Sequence, residues 1–171
     1  LTLLLALGFL FSTGSLLAQT PPANDDVCNA ISLMVDGTTG NYSNVGATDQ
    51  PGEDGTISPP TGDGLGNGAW FENSITNSVW FTFTAANTEI ATITVTSTGA
   101  NPIGDLVFEL FSGSCGSLTP LRCQDFQTSN PESFTFNAVM GTRYFVRVYS
   151  FVTNRGSFEI EYASSSDECA G

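Results

Sequence analysis

From Val79 to Tyr162 the chain alternates large apolar and polar residues in short runs, each closed by Gly, Pro, Asn or Cys. Val79, Phe81 and Phe83 share one face by period two, as do Ala91, Ile93 and Val95, and Leu106, Phe108 and Leu110. Phe134 with Phe136, Tyr144 with Val146 and Val148, and Phe158 with Ile160 and Tyr162 repeat the pattern. The opposite faces carry mainly Thr, Glu and Arg, which is how half-buried strands joined by tight turns read. Six such inward sets over eight or nine strands predict an all-β, antiparallel two-sheet β-sandwich, jelly-roll-like in outline. No segment after the first eighteen residues shows a helical period of useful length.

Ahead of these strands the pattern is more broken. Residues 1–18 form an uncharged apolar run, interrupted at Gly8, Ser12, Thr13, Gly14 and Ser15 and followed by no basic flank. It reads as the core of a secretory signal peptide, missing its true start and cleaved after Ala18, rather than as a membrane anchor. The residue directly after the cleavage point is Gln19 rather than Cys, which argues against a lipoprotein. Residues 19–24 then serve as a linker and 25–163 as one domain, a size that needs only one core. The first strand is expected over Ile31–Val35, a turn at Gly37–Gly40, and a more polar strand after it. Gln50–Gly68 is dense in Gly, Pro and Asp and reads as a long surface loop. S-D-E-C-A-G at residues 166–171 echoes N-D-D-V-C-N-A at 24–30, so residues 164–171 read as a linker and the start of a second repeat.

Charge narrows the function. Four Arg and no Lys or His stand against seventeen carboxylates, a formal net charge of −13. Such a surface repels phosphate backbones and anionic lipid, which excludes nucleic acid and membrane insertion of the mature domain as partners. Without His there is no Ser-His-Asp or Cys-His catalysis and no His-ligated zinc.

Four cysteines in an exported chain read first as disulfides. Cys115 and Cys123 stand at the end of one run and inside the next, and a staple across that hairpin is expected. Cys28 and Cys169 bracket the domain and pair with each other or outside the chain.

Asp25, Asp26, Asp105 and Asp125 are the acids expected to converge at one edge of the sandwich, where hard oxygen ligands would suit calcium. The competing reading is that they cap turns, since no D-x-D-x-D-G spacing occurs. Asp49, Glu53, Asp54 and Asp63 in the long loop read as solvated. Trp70, Phe71, Trp80 and Tyr149 are candidate platforms for extracellular polysaccharide, with packed aromatics as the alternative. Arg143 and Arg147 are expected to pair with Glu159 and Glu161 on a solvent face, at about 0.2–1 kcal/mol each. The acids fall mostly in turns, no acidic-protease signature occurs, and no catalytic residue is assigned.

The tracts P-P-A-N-D-D-V-C-N-A-I-S-L, N-S-V-W-F-T-F-T, G-D-L-V-F-E-L-F-S-G-S-C-G-S-L-T-P-L-R-C-Q-D-F and G-T-R-Y-F-V-R-V-Y together resemble the bacterial pre-peptidase C-terminal domain. They are especially similar to versions in large proteins exported by type IX secretion. The resemblance covers residues 24–162, and Asp105–Cys123 carries most of it. It implies a jelly-roll-like accessory module beside a protease, glycosidase or adhesin, with calcium bound by some relatives. The Gly-rich loop departs from the pattern and no sorting tail is visible. The expectation is therefore a non-catalytic binding or spacer module of a secreted or cell-surface Gram-negative protein. The alternatives are a carbohydrate-binding domain attached to an extracellular hydrolase and, third, a hydrolytic enzyme.

Overall fold

A computed structural model describes residues 19–48, 77–125, 130–150 and 154–165. Among them lie nine strands: β1 (Ile31–Ser32), β2 (Gly37–Ser43), β3 (Val79–Thr84), β4 (Glu89–Ser97), β5 (Leu106–Ser114), β6 (Ser117–Gln124), β7 (Glu132–Ala138), β8 (Arg143–Ser150) and β9 (Ser157–Ser165). One short 3₁₀ turn, Val27–Asn29, precedes them. The expected turn at Gly37–Gly40 is instead the first half of β2, which pairs with β9 from Gly37 onward and shifts register between Thr39 and Tyr42. A strand can absorb such a Gly through an irregularity of this kind.

The topology is that of one long hairpin rolled up. β5 pairs with β6, β4 with β7, β3 with β8 and β2 with β9, all antiparallel. Rolling that ribbon brings β8 beside β5 and β9 beside β4. The result is one sheet ordered β1-β3-β8-β5-β6 and another ordered β2-β9-β4-β7, with β1 added parallel to β3. This is a jelly-roll sandwich, the fold class that the alternation predicts.

The inward faces agree with the pattern residue by residue. Each of the six predicted sets is buried in a single core, with Phe136 partly buried and Tyr42 packed against it. The contacts between the sheets are largely ring on ring. Phe83 stacks on Tyr162 at 4.0 Å and Phe108 on Phe134 at 4.9 Å, while Phe81 meets Tyr42 edge-on at 4.8 Å. Such pairs add about 0.5–1.5 kcal/mol each beyond area burial.

The roll also sorts the connections. The β1–β2, β3–β4, β5–β6 and β7–β8 turns gather at one end, where β9 leaves the sandwich; this end is the exit pole. The remaining connections gather at the opposite pole. There Gly156 N–H donates to Asn44 Oδ1 at 2.8 Å, both residues being buried. A Cβ on Gly156 would collide with the backbone of Pro102 and Ile103. Asn24 is bonded to β3 in both directions, by Trp80 N–H to its carbonyl at 2.8 Å and from its Nδ2 to the Trp80 carbonyl at 3.0 Å, so the packed structure begins by Asn24.

Two substitutions test this arrangement. Phe158→Ala, which empties a site fully buried against Tyr42 and Phe81, is expected to cost about 3–5 kcal/mol in urea unfolding. Gly156→Ala is expected to destabilise as well, although Ala is ordinarily the more favourable residue, and an unchanged midpoint would contradict the close approach.

Candidate functional site

The five-stranded sheet is covered on both faces. Register places Trp80 (β3), Arg147 (β8), Glu109 (β5) and Cys123 (β6) in one row across it. All four point away from the core between the sheets, and all four are buried. Arg147 donates from Nε to Glu109 Oε2 at 2.7 Å and its Nη2 lies 2.5 Å from the same oxygen. The guanidinium sits over Trp80, Phe111 and Tyr149 at 5.4–5.6 Å from their ring centres. Tyr149 Oη donates to the other carboxylate oxygen, Oε1, at 3.3 Å. Burial pushes the Glu109 carboxyl above its ordinary range, against the pull of Arg147 and Tyr149. Burial and the neighbouring Glu109 hold the Tyr149 phenol well above its ordinary value.

This network corrects two expectations. Arg147 does not pair with Glu159 or Glu161, because β8 and β9 lie in different sheets. Arg143 donates to Thr82 Oγ1 at 3.1 Å and stacks over Phe145. Trp80 and Tyr149 are not sugar platforms either, being 0 % and 1 % exposed. Trp80 packs with Phe111 and Phe145, under Val27, Ala30, Cys115 and Leu118. Tyr149 packs with Val107 and Cys123. Trp70 and Phe71 lie outside the described residues.

The disulfide joins Cys28 to Cys115, with Cα atoms 5.0 Å apart; it replaces the expected Cys115–Cys123 staple and gives Cys28, whose partner the sequence leaves open between Cys169 and a residue outside the chain, a third partner. Cys115 stands in the two-residue β5–β6 turn, whereas Cys123 is opposite Glu109, six positions down the hairpin. That is about 20 Å along the strands, far beyond the 4.4–6.8 Å a disulfide spans. Cys123 is a buried thiol, and Cys169 lies outside the described residues. The bond straps the 3₁₀ turn, itself capped by Asp26 accepting from Cys28 N–H at 2.6 Å, over the Trp80–Phe145 face.

The four candidate calcium ligands are spread over separate segments. Asp25 accepts from Thr48 N–H and Oγ1, both at 2.7 Å, and Asp26 caps the 3₁₀ turn. Asp105, at φ 48°, precedes β5, and Asp125 follows β6. Desolvation raises the Asp105 carboxyl above its ordinary value. Asp25 flanks β3 and Asp105 lies three strand spacings away, about 14 Å. Among the described residues, no three His, Cys, Asp or Glu side chains are grouped to hold a metal. Asp49, Glu53, Asp54 and Asp63 lie outside those residues.

With the geometry in hand, a comparison with solved structures gives a pre-peptidase C-terminal domain of a collagenase from Bacillus anthracis. The match spans 78% of this chain and 93% of that one, at 16% identity and a TM-score of 0.48. A likeness of that size is too loose to identify the chain. No protein-family profile matches it, and no curated protein does.

The buried pair can be tested by a double-mutant cycle. Arg147→Met alone is expected to cost about 3–5 kcal/mol by leaving Glu109 buried and unmatched, while adding Glu109→Leu recovers most of it. Additive losses would contradict the coupling.

A second test uses pH. Desolvation and the carboxylate of Glu89, which accepts from Tyr162 Oη at 3.5 Å, push the Tyr162 phenol up to about 12 from 10.0. The unfolded chain releases that proton first, so its contribution to stability is whole below pH 10 and disappears as the pH rises to about 12. Tyr162→Phe is expected to flatten the fall in urea midpoint over that interval.

Proposed function

We propose that this chain is a non-catalytic binding or spacer module of a secreted or cell-surface multidomain protein, of the pre-peptidase C-terminal type. The observation that carries the reading is the end-to-end course of the chain, locked by one disulfide. Gln19 and Thr20 lie against Gly46, beyond the last residue of β2, at the opposite pole. β9 leaves at the exit pole after nine residues, about 30 Å away. A module that begins at one pole and leaves at the other sets whatever follows β9 one module length from its own start, which suits a spacer. The Cys28–Cys115 bond closes 87 residues of sequence and suits an oxidising compartment outside the cytoplasm.

The sequence tracts resembling pre-peptidase C-terminal domains support the same role, and that resemblance brings the type IX route with it as part of the proposal. Polysaccharide recognition through Trp80 and Tyr149 is not carried forward, since both rings are enclosed. Calcium remains an expectation on Asp105 and Asp125, which share the opposite pole of one sheet. A thermal melt that shifts upward on adding calcium and falls back with chelator would support it; coincident melts would remove it.

The role is tested on the native polypeptide. Recovered from culture supernatant or the outer cell surface, it is expected to yield a Cys28–Cys115 linked peptide on non-reducing digestion and to exceed the 18.0 kDa of this chain. A cytoplasmic polypeptide with both thiols reduced would overturn the reading. Replacing both cysteines with Ala is expected to lower stability by about 4–5 kcal/mol, the chain-entropy value for a loop of that length.

A further inference from the structure

The exposed large hydrophobic residues are not scattered. Six are exposed among the described residues, and five of them stand at the exit pole: Met34 (68%), Met140 (66%), Ile90 (55%), Val139 (53%) and Val35 (42%). The sixth, Leu121, is on β6. Met34 and Val35 belong to the β1–β2 turn, Ile90 to the first residues of β4, and Val139 and Met140 to the β7–β8 turn.

Hydrogen bonds draw these segments together. Met140 N–H donates to Thr88 Oγ1 at 3.1 Å, Ser165 Oγ to the Ile90 carbonyl at 2.8 Å, and Ser164 N–H to Asp36 Oδ1 at 3.0 Å. The apolar side chains therefore follow the four-stranded sheet from β2 across β9 and β4 to β7, three strand spacings or about 14 Å. Both carboxylates along this line accept hydrogen bonds, the exposed Asp36 from Ser164 N–H and the half-buried Glu89 from Tyr162 Oη. Arg143, the cation of this pole, stacks over Phe145 on the other sheet. Between exposed polar groups such as Asp36, Asn87 and Thr88, the pole presents methyl and thioether surface outward.

We propose that this stripe is the docking surface for the domain that follows β9 in the same polypeptide, an inference that rests on the accessory-module reading. The chain leaves the sandwich inside the stripe, because Ser165, the last residue of β9, is bonded to Ile90. Whatever follows is held there by its own backbone. Five partly exposed side chains are a small part of the about 20–30 residues a side that a stable interface with a free partner uses. A short tether supplies an effective concentration in the millimolar range, at which such a patch suffices. A second copy is disfavoured by the formal charge of −13 that each would carry. The partner face is apolar, and its contact fixes the angle between successive domains instead of leaving them on a loose hinge.

The test places a photo-crosslinking benzoylphenylalanine at Met140, or for comparison at Leu121, in the native full-length polypeptide. Irradiation is expected to link position 140 to residues beyond Gly171 of the same molecule, at least tenfold more often than position 121. Adding Met34→Asp and Ile90→Asp is expected to abolish the excess while circular dichroism stays native, since both side chains are exposed. Equal yields at the two positions, or links from position 140 to a second copy or another protein, would overturn the docking. A native polypeptide that proves to hold no further domain would overturn the accessory reading itself, whereas a longer one without the excess overturns the docking alone.

Discussion

The stacking of aromatic rings between the two sheets is the contact on which the rest of the molecule depends. Phe83 on Tyr162 and Phe108 on Phe134 each join a strand of one sheet to a strand of the other. Those strands are also partners of different depth in the rolled hairpin, β3 and β9 outermost and β5 and β7 further in. A flat ribbon would leave every one of these rings in water. Rolling it is what buries them, and the same motion fixes which turns meet at which end. The rolled hairpin itself starts and ends at the exit pole, and it is the segment before β2, laid along β3 through β1, that reaches back to the opposite pole.

The inner half of this structure was legible in the sequence, for a physical reason. A strand whose one face is dry must repeat an apolar residue every second position, and Val79-Phe81-Phe83 or Phe158-Ile160-Tyr162 cannot pack that way in any other regular conformation. The outer half of the five-stranded sheet was misread because Glu109 and Arg147 break the alternation in the manner of solvent-facing residues. The contrary signal lay in their neighbours. Trp80, Val107, Phe111, Phe145 and Tyr149 occupy the same outward phase, and no water-exposed face carries so much apolar area. Continuous apolar runs such as L-V-F-E-L-F are what strands covered on both sides look like.

Partner choice in three dimensions was less legible than burial. The Cys115–Cys123 staple was read from nearness in sequence, but a two-residue turn puts Cys115 at the tip and Cys123 well down one leg. Cys28, 87 residues earlier, reaches Cys115 because the segment before β1 crosses the outer face of the sheet. The acids were harder still, since caps and ligands use the same residue at the same kind of turn. Only the hydrogen bonds themselves assign Asp26 to capping the 3₁₀ turn and Asp25 to tying the entry segment to Thr48.

The disulfide and the buried ion pair belong to one construction. An Arg–Glu pair removed from water contributes little by itself, because desolvation offsets most of its attraction. What it does is demand a cover, and the cover must not slide. Val27, Ala30 and Leu118 form part of that cover over Trp80, Phe111 and Phe145, and Cys28–Cys115 adds a covalent pin to a piece otherwise held by a three-residue 3₁₀ turn, a two-residue strand and the hydrogen bonds of Asn24 and Asp25. A pull on the residues before Asn24 therefore meets a covalent bond to the β5–β6 turn before it can reach β1.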